Sequence, residues 1–146
     1  MTNQDLINKA IEAKKYAISP TGYHVGVALL TSNNKLYTGC NLGSEDGIFN
    51  ICAERVAICK MLSEGERKFS KIAVVGGMGE ELSFTTPCGV CRQLISEFGN
   101  DIEIILGYKN DKGEIVEKVQ KISELLPCSF SMWVNWKINI DWIDVK

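Results

Sequence analysis

The sequence predicts a layered α/β domain, and three observations lead to it. Helix-like and strand-like stretches alternate along the chain. Two short runs, "KIAVVGG" at 71–77 and "IEIILGY" at 102–108, are apolar almost throughout, as expected of strands covered on both faces. The 146 residues, 45% of them hydrophobic, suit one domain with a single core. No linker, internal repeat or low-complexity segment interrupts them.

Each element has its own signature. Thr2 and Asp5 stand in capping-box spacing, and Leu6, Ala10, Ala13 and Ala17 share one helical face, so a helix is expected to end near Ser19 and Pro20. "YHVGVALL" at 23–30 and the stretch from Lys35 to Cys40 read as strands joined by the turn "TSNN", an antiparallel hairpin. Residues 41–50, "NLGSEDGIFN", read as a loop. A helix follows from about Ala53 to Leu62, with Val56, Ala57, Cys59 and Lys60 on a half-buried surface and Gly65 ending it. After the strand at 71–77, a helix is expected from Gly89 to Phe98, stopped by Gly99 and Asn100. The strand at 102–108 turns through "NDKG" into "EIVEKV", and "KISELLP" is a short helix or turn.

Composition narrows the function. The net charge is −2, with lysines and arginines scattered, so no electrostatic footprint for a polynucleotide is present and a free small molecule is the expected partner. The first residues lack the basic flank and apolar core of a signal peptide, and no apolar run is long enough to cross a bilayer. The six cysteines are therefore expected in a reducing cytoplasm, where clustered thiols mean metal or catalysis more often than disulfides.

Two stretches hold the chemistry. "NICAERVAICK" at 50–60 puts Cys52 and Glu54 at a helix start, and "TTPCGVCRQL" at 85–94 puts Cys88 and Cys91 at another. Two βα units packed side by side would bring both helix N-termini to one sheet edge, where ligands of open α/β sheets collect. A helix N-terminus favours thiolate through its partial positive charge. Three converging thiolates make a zinc site with one position left for water, the pattern of catalytic rather than structural zinc. Glu54 then faces that water as a proton carrier.

Zinc with three thiolates carries a formal charge of −1, so something must offset it. Arg55 and Arg92, each adjacent to a site residue, are candidates to hydrogen-bond a thiolate. A structural zinc knuckle and a redox pair are the plainer readings of a lone CxxC. Cys40, Cys59 and Cys128 read as small buried apolar residues, and His24 as a strand residue rather than a ligand. Trp133, Trp136 and Trp142 read as core or interface fillers.

"CAERVAI" and "PCGVCRQLISEFG", preceded by "YHVGVALL" and followed by "ELLPCSF", resemble the small cytidine deaminases of nucleoside salvage from about Leu6 to Phe130. The resemblance implies a three-layer α/β/α fold on a five-stranded mixed sheet, assembled as a homotetramer with one zinc per subunit. It implies Cys52, Cys88 and Cys91 as zinc ligands, with Glu54 taking a proton from the zinc-bound water before attack on C4 of cytosine. It implies pyrimidine contacts from the backbones of Ala53 and Thr86. Tyr23 stands where the family has a phenylalanine packing on the nucleoside, Asn41 matches a ribose-binding asparagine, and Phe130 matches an aromatic closing a neighbouring subunit's site.

Two departures bear on substrate. Gly43 stands where the family has a glutamate that grips the sugar hydroxyl, and Glu45 or Asp46 are candidates to replace it. Relatives that deaminate blasticidin S, a cytosine nucleoside with an altered sugar, also depart in this loop. The tail at 131–146, with its three tryptophans, departs as well. The expected activity is deamination of cytidine and deoxycytidine. The alternatives are a deaminase of a sugar-modified cytosine nucleoside and, from another class, a non-catalytic zinc-bearing scaffold, which would have no use for Glu54.

Overall fold

The computed structural model describes residues 1–130; the expectations for the tryptophan tail lie outside the described residues. Five strands form one mixed sheet. They are β1 (Tyr23–Thr31), β2 (Leu36–Cys40), β3 (Phe69–Met78), β4 (Glu103–Lys109) and β5 (Ile115–Lys121), in the order β2-β1-β3-β4-β5. Only β3 and β4 run parallel; the other neighbours are antiparallel. The helices are α1 (Asn3–Lys14), α2 (Ala53–Ser63), α3 (Gly89–Phe98) and the single turn α4 (Ile122–Leu125).

The three layers follow from strand alternation, which sends successive side chains to opposite faces. Val27 and Leu29, Ile72 and Val74, Ile104 and Leu106 meet Ala57, Ile58, Met61, Ile95 and Ile122 from the α2, α3 and α4 side. Ala28 and Leu30, Ala73, Val75 and Ile105 meet Leu6, Ile7 and Ala10 of α1 on the other. The central strands are therefore apolar on both faces, as the runs at 71–77 and 102–108 suggested. Strand β5 is an edge and is mostly exposed.

Helix α1 crosses the sheet directly over Gly26 of β1. A Cβ there would fall within 2.6 Å of Lys14 N, and closer still to the Ala10 carbonyl. Only glycine lets the two backbones approach so closely.

The structure corrects the expected register of α1 and α2. Helix α1 has the capping box at Thr2 and Asp5 but ends at Lys14, short of Ser19 and Pro20, and Ala17 lies beyond it. Its buried face is Leu6, Ile7, Ala10 and Lys14; the Lys14 ammonium reaches the Gly79 carbonyl, so a cation occupies what the alanine spacing suggested was apolar. On α2 the buried face is Ala53, Glu54, Ala57, Ile58 and Met61, leaving Cys59 and Lys60 exposed. Helix α3 spans Gly89–Phe98, with Gly99 as its C-cap. Among the described residues, no helix is long and apolar enough to cross a membrane.

Candidate active site

Two loops deliver the site residues, and each has a structural cause. Residues 43–50 form a loop closed at its base by a reciprocal bridge, Leu42 N to Ile51 O at 3.0 Å and Ile51 N to Leu42 O at 2.9 Å. That bridge places Cys52 as the N-cap of α2, two residues before Glu54. The parallel strands β3 and β4 pair only as far as Val74 and Leu106. Beyond that point the returning chain enters the gap, with Ser83 N donating to Gly76 O at 2.7 Å and Lys109 N to Leu82 O at 2.9 Å. The same stretch then sets Cys88 as the N-cap of α3. The two helix-bearing strands β2 and β3 are not neighbours as side-by-side units would require, because β1 lies between them.

The thiols of Cys52, Cys88 and Cys91 lie within 4.8 Å of one another, and Cys52 Sγ and Cys88 Sγ are 3.7 Å apart. Two sulfurs each ~2.3 Å from a tetrahedral zinc would stand about 3.8 Å apart, whereas a disulfide needs ~2.05 Å. The Cys52–Cys88 spacing fits a metal site, and all three cysteines are free. Among the described residues this is the one such group, and His24, opposite Gly77 in β1, is not part of it.

Glu54 is 4% exposed, and its Oε2 lies 3.7 Å from Cys91 Sγ while remaining outside the trio. Burial pushes its carboxyl up, against the opposing bond from Cys91 and the charge of Arg55. Burial raises Cys52, with Arg55 opposing, and burial with the charges of Glu54 and the other two thiols raises Cys91. At Cys88 burial also pushes up, but the N–H groups of Cys91 and Val90 and the neighbouring thiols outweigh it and leave the thiol low. A dication bound among them would favour all three thiolates. The donor set therefore fits zinc, held by Cys52, Cys88 and Cys91.

The two arginines part company. Arg55 Nη2 donates to Cys52 Sγ at 3.8 Å. Arg92 does not reach a thiol, which corrects the expectation for it. Its Nε donates to Pro87 O at 2.7 Å, Nη1 to Leu125 O at 2.8 Å and Nη2 to Thr86 Oγ1 at 3.0 Å. Cys59 and Cys128 are exposed and Cys40 half-buried, so the reading of all three as buried apolar residues is corrected too.

The remaining candidates surround the trio. Ala53 is fully buried between Cys52 and Glu54, and Thr86 is half-buried two residues before Cys88. Tyr23 Oη shares a 2.6 Å hydrogen bond with Thr85 Oγ1, a partner that sequence reasoning missed and for which no motif signalled. Asn41 lines an open pocket with Gly43, Glu45, Asn50, Cys52 and Arg55. Its amide also spans β1, accepting from Val25 N at 2.7 Å and donating to Tyr23 O at 2.9 Å. Phe130 is 73% exposed, and its carbonyl accepts from Gln93 Nε2 at 3.1 Å. A Cβ at Gly43 would meet Pro20 Cδ at 3.0 Å. Asp46 is held by Ser44 Oγ and Ile48 N, which keep its carboxyl low, while Glu45 is exposed.

Comparison with known proteins agrees with this geometry. Residues 1–107 match the family model for the cytidine and deoxycytidylate deaminase zinc-binding region. A probable cytidine deaminase of Dictyostelium discoideum is 39% identical over 88% of this chain and 86% of its own. A blasticidin-S deaminase of Bacillus cereus is 26% identical over 87% of this chain and 91% of its own. The crystal structure of cytidine deaminase from Burkholderia pseudomallei superposes with a TM-score of 0.76 at 36% identity, over 89% of this chain and all of that one (100%). With three thiols set for zinc and a buried carboxyl beside them, the chain belongs to the cytidine and deoxycytidylate deaminase family of zinc-dependent hydrolases.

Proposed function

We propose that this chain hydrolyses cytidine and deoxycytidine to uridine and deoxyuridine, releasing ammonia. The observation that carries the reading is the Glu54 carboxyl, buried against Cys91 yet apart from the three ligand sulfurs. A scaffold zinc would give such a carboxyl no work, and burying it without a role would be costly.

Zinc held by Cys52, Cys88 and Cys91 would supply a Lewis acid that brings the pKa of a water toward neutrality. Glu54 does the proton work. Its carboxyl, raised by burial, exchanges protons closer to neutral pH than an exposed glutamate would. It accepts a proton from the attacking water as oxygen bonds to C4, returns it to N3, and then carries the second water proton to the exocyclic amine. The C4–N bond breaks and ammonia leaves. The backbones of Ala53 and Thr86 hold the pyrimidine edge, Tyr23 packs on the nucleoside, and Asn41 binds the ribose.

A sugar-modified cytosine nucleoside is the second reading. The closely packed Gly43, which carries no side chain toward the pocket, and the likeness to a blasticidin-S deaminase favour it. Apolar side chains left exposed, Phe49 at 76% and Phe130 at 73%, support a homotetramer in which Phe130 closes a neighbouring site. Six free cysteines support a reducing, cytoplasmic setting. A panel of cytidine, deoxycytidine and blasticidin S, followed by loss of cytosine absorbance, tests the assignment. Fast turnover of the first two supports it; turnover of blasticidin S alone moves it to the second reading.

A further inference from the structure

Three successive residues of the zinc-ligand loop are held by one residue of α3. The Arg92 backbone N–H donates to Cys88 O at 2.9 Å, while its side chain takes Pro87 O through Nε and Thr86 Oγ1 through Nη2. Proline has no N–H, so the Pro87 carbonyl is its only backbone handle, and Arg92 occupies it. The remaining arm, Nη1, reaches Leu125 O at 2.8 Å, one of the carbonyls that a helix end leaves without an internal partner. The next residue, Gln93, extends the same connection to Phe130 O.

We propose that Arg92 is a positioning residue that clamps the Cys88-bearing loop to the end of α4 and thereby holds Cys88 in place for the metal. The proposal rests on the zinc deaminase reading above. Cys88 is exposed, so core packing does not fix it. Arg92 holds its place through a planar fork whose three engaged nitrogens each face an oxygen acceptor rather than a sulfur, so its contribution is geometric, not an offset of thiolate charge.

Lysine keeps the charge at this position and loses the fork, so Arg92→Lys separates the two roles. Zinc-loaded full-length protein is challenged with a chromophoric chelator, and the cobalt-substituted form is read by its visible spectrum. The clamp requires Arg92→Lys to release zinc at least about tenfold faster than wild type, with an altered cobalt d–d band. Thr86→Val removes one contact of three and should shift both readouts the same way by less; it decides the matter if Arg92→Lys does not fold. Wild-type release and an unchanged cobalt spectrum in these variants overturn the clamp. Wild-type protein that takes up no zinc overturns the deaminase reading and the clamp together.

Discussion

The guanidinium of Arg55 lies 3.8 Å from Cys52 Sγ, three residues along α2 from the sulfur it faces. Its Nε is buried with no hydrogen-bond partner among the described residues, and the contact to the thiol is made through Nη2. A zinc with three thiolates is electron-rich, and a cation against one sulfur draws some of that charge away. Replacing Arg55 by Gln should therefore lower zinc affinity by about 10–100-fold and reduce turnover. Chelator competition and steady-state kinetics check this, and unchanged values in both would contradict it.

Gly26 is where α1 and the sheet backbone meet. Gly26→Ala should destabilise the fold by about 1–3 kcal/mol, because the methyl group has only Lys14 and Ala10 backbone to displace. For a chain of this size that is a fall in Tm of roughly 2–4 °C per kcal/mol. Thermal unfolding by circular dichroism checks it, and zinc stoichiometry in the folded variant should stay at the wild-type value.

Much of this arrangement was legible in the chain. The limits of α3 are legible, Gly99 stopping it after Phe98 as the spacing predicts. The three thiols and Glu54 were legible because their spacing to two helix starts is local. The end and the face of α1 were not: the alanine spacing carries no sign that Gly26 lets the helix down onto the sheet, where Lys14 is buried and the helix ends. Arg92 departs from its expected sulfur partner because of helix geometry. Adjacency to Cys91 suggested a sulfur partner, but successive helix residues point about 100° apart, and Arg92 turns to Thr86, Pro87 and Leu125. The insertion of β1 between β2 and β3 is a matter of strand order, which local patterns do not carry.

Tyr37 gives a pH test remote from the metal. Burial, with the hydrogen bond to Glu64 Oε2 at 3.0 Å and that carboxylate's charge, raises its phenol above the ordinary value. A raised folded pKa means that the native state holds the proton more tightly than the unfolded chain. The resulting stability is complete below the unfolded pKa of about 10 and is lost as pH climbs through the folded one. Tyr37→Phe should thus be less stable than wild type at pH 7–9, with the gap closing above about pH 10. Denaturant midpoints at stepped pH check it; a gap that widens with pH would contradict it.

Glu45 is exposed in the pocket that Gly43 leaves without a side chain, whereas Asp46 is already bound within its own loop. If Glu45 grips the sugar, Glu45→Gln should raise KM for cytidine several-fold and leave kcat nearly unchanged, the pattern of lost uniform binding. Equal KM values would remove Glu45 from the site.

The most direct measurement is made on wild type and Glu54→Gln side by side, reading bound zinc per chain and cytidine turnover from the same preparations. One zinc in each, with turnover reduced by about 10²–10⁴-fold or more in the variant, is the expected result. Metal-free wild-type protein, or a Glu54→Gln variant that deaminates cytidine at the wild-type rate, would contradict the account.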